Sequence, residues 1–172
     1  MDASELRGAL GEVAELLAHQ GISVRVYIVG GAAMALAYDA ERSTRDIDAV
    51  IESHHGPLTD AVREVARRHG WPGTWLNEQA AAYVPRGSDP GSRVVFDHPC
   101  LRVLAASPTR MLAMKARAAR AADRGDLLRL AHLLGISTVA EIAAVVAEQF
   151  PDEPWSTRSR NVVEDLFASG ER

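Results

Sequence analysis

Cysteine and lysine are each present once in this chain of 172 residues. With Cys100 as the only cysteine, no intrachain disulfide can form and no cysteine-rich metal site is available, so the residue is expected to be a small buried hydrophobe. Apolar runs long enough to cross a bilayer are missing. The opening Met1-Asp-Ala-Ser-Glu-Leu is acidic and has no apolar leader segment, which predicts a cytoplasmic protein without a membrane partner. Internal repeats and low-complexity tracts are also absent. A net charge of −4 argues against a general nucleic-acid-binding surface. What is there is ordinary globular composition, 47% hydrophobic and 24% charged, enough for one domain with a sizeable core.

The densest information lies in residues 27–51. Tyr27 to Val29 form an apolar run, Gly30 and Gly31 permit a tight turn, and Ala32 to Ala37 can begin a helix at once. Such a turn presents bare backbone N–H groups at a positive helix end, and the missing Cβ atoms let a triphosphate come close. Asp46 and Asp48 follow in Asp-Ile-Asp-Ala-Val-Ile. Because strand side chains alternate, both carboxylates leave one face while Ile47, Ala49 and Ile51 leave the other. Two carboxylates so close repel each other unless a cation sits between them, and oxygen-only ligands favour Mg²⁺. Alone, the glycine pair is an ordinary turn and Asp-x-Asp a solvated strand end. Together they have the layout of a metal-dependent nucleotidyl-transfer site.

Lys115 stands out because 18 of the 19 basic residues are arginine. A compact ammonium approaches a phosphate as a point charge, which a wide guanidinium fork does not reproduce. It lies in a basic run of Arg102, Arg110, Lys115, Arg117, Arg120, Arg124 and Arg129, against Asp123 and Asp126 alone, so a local basic face is expected there. The outer arginines, like Arg63, Arg67 and Arg68, read better as a solvated helix face. Lys115 and Asp126 on one straight helix would stand roughly 16 Å apart. Arg124-Gly125 reads as a helix stop with Asp126 as the N-cap of the next helix, which would set the pair across a bent connection.

Elsewhere the pattern predicts a helix over 4–19 capped by Ser4, strands at Val24–Val29, Asp46–Glu52, Arg93–Asp97 and Leu101–Ala105, and a helix over Pro57–His69 stopped by Gly70. Residues 71–82 are irregular and 85–92 form an exposed loop. Everything after Ser107 is helical, with starts near Ser107, Asp126, Ser137 and Ser156. The order gives an α/β core over residues 1–106 and a helical part over 107–172 packed on the same domain. His54-His55 reads as a surface turn. Trp75 is either a core plug or a base contact, and Asn77 either a turn residue or a ribose contact.

The series Val29-Gly30-Gly31 and Ser43-Thr44-Arg45-Asp46-Ile47-Asp48 resembles the signature of the DNA polymerase β nucleotidyltransferase superfamily. With Trp75-Leu76-Asn77 and the stretch from Ser107 through Lys115 to Asp126-Leu127, it is most similar to the AbiEii/MenT-like nucleotidyltransferase toxins, over residues 20–135. That resemblance implies a small mixed twisted sheet flanked by helices and transfer of a nucleoside monophosphate from an NTP to a hydroxyl. It further implies that Ser43 or Thr44 assists the Gly30-Gly31 cradle, Asp46 and Asp48 hold Mg²⁺, and Lys115 neutralises phosphate charge. Asp126 would orient the acceptor or a phosphate-binding group, with Asp97 its competitor as the third carboxylate. The implied acceptor is the 3′ end of tRNA, and the implied partner a separate antitoxin protein. Gly125 departs from the acidic residue expected before Asp126. Two alternatives remain: an aminoglycoside- or lincosamide-modifying nucleotidyltransferase, and a catalytically inactive nucleotide-binding or antitoxin-like module.

Overall fold

The computed structural model describes residues 1–39 and 41–169. By backbone contacts the chain divides into two compact units, the first formed by residues 1–82 and 92–106, the second by 83–91 and 107–172.

In the first unit α1 (Ala3–His19) starts at Asp2, not at Ser4. The Asp2 carboxylate accepts from the Ser4 and Glu5 amides while Glu5 reaches back to the Asp2 amide, a reciprocal cap that Ser4, with Arg7 three residues on, could not complete. Next come β1 (Val24–Val29), the short α2 (Gly30–Ala33), a π-helical turn (Met34–Tyr38) and β2 (Ile47–Ile51). Then α3 (His55–His69) begins two residues before Pro57, which is tolerated there because first-turn amides have no helical acceptor. Gly70 stops the helix in the left-handed region, as expected. The irregular stretch holds a two-residue strand β3 (Leu76–Asn77), and β4 (Arg93–His98) and β5 (Leu101–Ala105) complete the sheet.

The five strands run in the order β3-β2-β1-β5-β4. Antiparallel pairs β1–β2 and β4–β5 combine with parallel pairs β1–β5 and β2–β3, giving a mixed sheet flanked by helices. One face carries Val24, Val26, Ile28, Ile47, Ala49, Leu101, Val103 and Ala105, all buried. Against it pack α1, itself on α3, and α2. A bulge at Val95 in β4 lets both Val95 and Phe96 turn toward this side. The Arg7 guanidinium donates to the Val95 carbonyl at this bulge. Trp75 is 1% exposed and its indole N–H donates to the Val62 carbonyl, so it is a core plug. Asn77 is a turn residue whose side chain bonds the Gln79 amide and the Thr74 carbonyl. Cys100 is half-buried, not buried, because it lies in the β4–β5 turn.

The second unit contains α4 (Pro108–Ala118), a 3₁₀ turn (Ala121–Asp123), α5 (Arg124–Leu134), α6 (Val139–Gln149) and α7 (Thr157–Ser169). Ser107 caps α4, accepting from the Arg110 amide. Thr138 rather than Ser137 caps α6, in a reciprocal box with Glu141. The loop 85–91 belongs here. Arg110, 5% exposed, donates to the Gly87 and Ser88 carbonyls, and Asp89 accepts from the Ser107 amide at 2.8 Å. The Arg117 guanidinium stacks 4.1 Å over Phe150 and pairs with Glu153. Among the described residues no single helix is long and apolar enough to cross a membrane.

Candidate active site

The turn after β1 and the acidic strand meet directly. Val29 pairs with Asp48 across the antiparallel β1–β2 ladder, which sets Asp48 beside Gly30. Gly30 has φ +67°, and a Cβ placed on it would lie 2.9 Å from Asp48 Oδ2. Both the backbone conformation and the space therefore require glycine there. A Cβ on Gly31 would lie 2.6 Å from Thr44 Oγ1. What the missing Cβ atoms admit, then, is the chain's own Asp48 and Thr44.

Thr44 ties the loop to the strand it precedes. Its hydroxyl donates to the Asp46 carbonyl at 3.0 Å, and its amide to the Met1 carbonyl at 2.9 Å. Ser43, one position earlier, is exposed. Along 46–51 burial alternates as expected, with Asp46, Asp48 and Val50 half-buried on one face and Ile47, Ala49 and Ile51 in the core. Gly30, Gly31, Thr44, Asp46 and Asp48 thus form one cluster in the first unit.

Asp97 is not brought to this cluster. It stands opposite Arg102, which is level with Arg25, four residues before Val29. At standard strand rise and spacing that is about 13 Å along the sheet and three strands across, roughly 19 Å from Asp48. No group of three or more His, Cys, Asp or Glu able to hold a metal occurs among the described residues. Two half-exposed carboxylates on one face nevertheless fit Mg²⁺, which keeps several waters and takes its remaining oxygens from substrate phosphates.

The second unit holds a different cluster. Lys115 Nζ lies 2.7 Å from Asp123 Oδ1 and 2.8 Å from Asp126 Oδ2, with side-chain exposures of 9%, 14% and 7%. Lys115 and Asp126 do sit across a bent connection, but the bend is not where Arg124-Gly125 suggested. The chain turns at Ala119, left-handed at φ 44° and ψ 46°. Arg124 already begins α5, Gly125 lies within its first turn, and Asp126 is a buried ion-pair partner inside the helix, not its N-cap. Asp123 was missed as a partner. Its signal was the spacing Asp-x-x-Asp, which places two carboxylates within reach of one cation.

The expected basic face is correspondingly reduced. Arg110, Lys115 and Arg117 serve as internal partners in the second unit. Arg67 and Arg68 are solvated helix residues paired with Glu64, as anticipated, and their hydrogen bonds hold its carboxyl down to about 2. His54 and His55 are at the surface, but they open a helix and do not form a turn: His54 is the left-handed N-cap of α3 and His55 its first residue, bonding Glu78 at 3.0 Å.

A family model described as a nucleotidyltransferase of unknown function, DUF6036, matches residues 4–161. The chain belongs to this family. No curated protein and no solved structure matches it. For a DUF6036 nucleotidyltransferase, the Gly30–Asp48 and Gly31–Thr44 contacts join a glycine turn to paired carboxylates.

Proposed function

We propose that this chain transfers a nucleoside monophosphate from an NTP to the 3′ end of tRNA, with pyrophosphate as the leaving group, as the toxin of a toxin–antitoxin pair. The observation that carries the transfer is the packing of Gly30 against Asp48 beside Asp46, in a chain of the DUF6036 nucleotidyltransferase family. Gly30 and Gly31, with Ser43 or Thr44, take the triphosphate, and Asp46 and Asp48 hold Mg²⁺. When bound, Mg²⁺ would neutralise phosphate charge and lower the pKa of the attacking hydroxyl. Lys115 and Asp126 are assigned to the same reaction on the resemblance alone. Two of the three ammonium N–H groups of Lys115 point at Asp123 and Asp126, leaving one for a phosphate oxygen. The tRNA acceptor and the antitoxin rest on the Ser-Thr-Arg-Asp-Ile-Asp and Lys115…Asp126 resemblance.

Purified protein incubated with each labelled NTP, Mg²⁺ and total tRNA should extend the RNA by one or a few nucleotides. Expression without an antitoxin should slow growth. Unlabelled tRNA with all four nucleotides would end the tRNA reading. A second reading, modification of a cationic antibiotic, is favoured by the internal use of Arg110, Lys115 and Arg117, which leaves fewer cations for a polyanion. Labelling of an aminoglycoside in a parallel reaction would select it.

A further inference from the structure

The sheet face that bears Asp48 also bears a second charged group at its other end. Side-chain alternation puts Arg25, Tyr27 and Val29 on that face, and the register sets Arg102 beside Arg25, Leu104 beside Tyr27 and Asp48 beside Val29. Two guanidinium groups therefore stand side by side on neighbouring strands. Asp97 flanks Arg102 at 3.8 Å and Glu52 flanks Arg25 at 3.9 Å, so three strands and the residue that follows β2 carry the row minus, plus, plus, minus. All four side chains are about half exposed or more. Beside them an open groove of about 610 Å³ is lined by Ser23, Arg25, Ser53, Asp97, His98 and Arg102.

Like charges in register oppose each other, and exposed pairs at nearly 4 Å recover little, typically under about 1 kcal/mol. The row is thus easily opened. A phosphate between the two arginines would meet two planar donor forks and relieve their repulsion. We propose that Arg25 and Arg102 form a phosphate subsite for a single-stranded RNA acceptor. The subsite lies about 13 Å along the sheet from the carboxylate pair. This rests on the RNA-acceptor reading above.

The test is binding of a labelled single-stranded RNA oligonucleotide to the full chain across a salt series, without NTP. Arg25→Gln with Arg102→Gln should weaken binding about tenfold at low salt and flatten the slope of log K against log salt by about 0.7, the value for one phosphate on a single strand. Asp97→Asn and Glu52→Gln should instead tighten binding severalfold, since each removes a competitor for an arginine. A surface ion-pair ladder would lose these opposed effects. Wild-type affinity and slope in the double variant, with no gain in the Asn and Gln variants, overturn the subsite. If wild type labels tRNA and that result appears, only the subsite falls. If the arginines govern RNA binding but tRNA is never labelled, the acceptor reading falls and with it the subsite's role in transfer, and the arginine pair is an RNA-binding site alone.

Discussion

The Gly30–Asp48 cluster and the Lys115 cluster are both built from charged residues, yet by opposite means. In the first, backbone approach does the positioning: glycine lets a strand carboxylate and a loop threonine close on the turn, and the two aspartates stay half-exposed. In the second, one cation and two carboxylates are held nearly out of water by one another. A half-exposed carboxylate pair can be reached by an incoming cation. A buried ion cluster has already satisfied its charges, and breaking it is costly. The first should govern chemistry with little effect on stability, and the second should govern both.

The sharpest way to break this contrast is Asp46→Asn or Asp48→Asn. Either should lower Mg²⁺-dependent transfer a thousandfold or more, about 4 kcal/mol, while thermal melting barely changes. Near wild-type turnover at saturating Mg²⁺ would refute the two-aspartate site. For the other cluster, Lys115→Met should leave Asp123 and Asp126 facing each other in a buried site. The loss of about 3–5 kcal/mol would appear in chemical denaturation. Lys115→Arg keeps the charge and should keep the fold, but it should cost transfer tenfold, about 1.4 kcal/mol, because the wider head cannot occupy the same space between two carboxylates. Full activity of the arginine variant would return Lys115 to a purely structural role.

Ala119 offers a subtler probe, since its left-handed backbone makes the turn that folds Asp123 back onto Lys115. Ala119→Gly removes the Cβ penalty but adds freedom to the unfolded chain, so a net gain of about 0.5 kcal/mol is expected by denaturation. The smallest effect belongs to Glu64. Arg67 and then Arg68 lower its carboxyl from 4.5 to about 2, so its contribution is full above pH 4.5 and is lost as pH falls toward 2. Glu64→Gln should leave melting at pH 7 nearly unchanged and shrink the decline between those two pH values.

The first cluster was legible in the sequence because its geometry is local. Alternation along 46–51 and a glycine pair at a strand end need no knowledge of distant partners. Sequence pattern places the start of α5 too late because an internal glycine resembles a helix stop, whereas Gly125 sits in a first turn that tolerates it. Asp97 looked eligible as a third carboxylate until strand order set it across the sheet from Asp48.

Sequence by itself determined which face the two aspartates share, where the chain must turn at Gly30 and that Lys115 differs from its arginine neighbours. Tertiary structure decided that the glycines close on Asp48 and Thr44, that Asp123 as well as Asp126 holds Lys115, and that Arg25 stands beside Arg102. The reason is range. Facing and turning follow from backbone sterics over a few residues, whereas the partner of a charged side chain depends on strand order and on a reversal at Ala119 that no propensity announces.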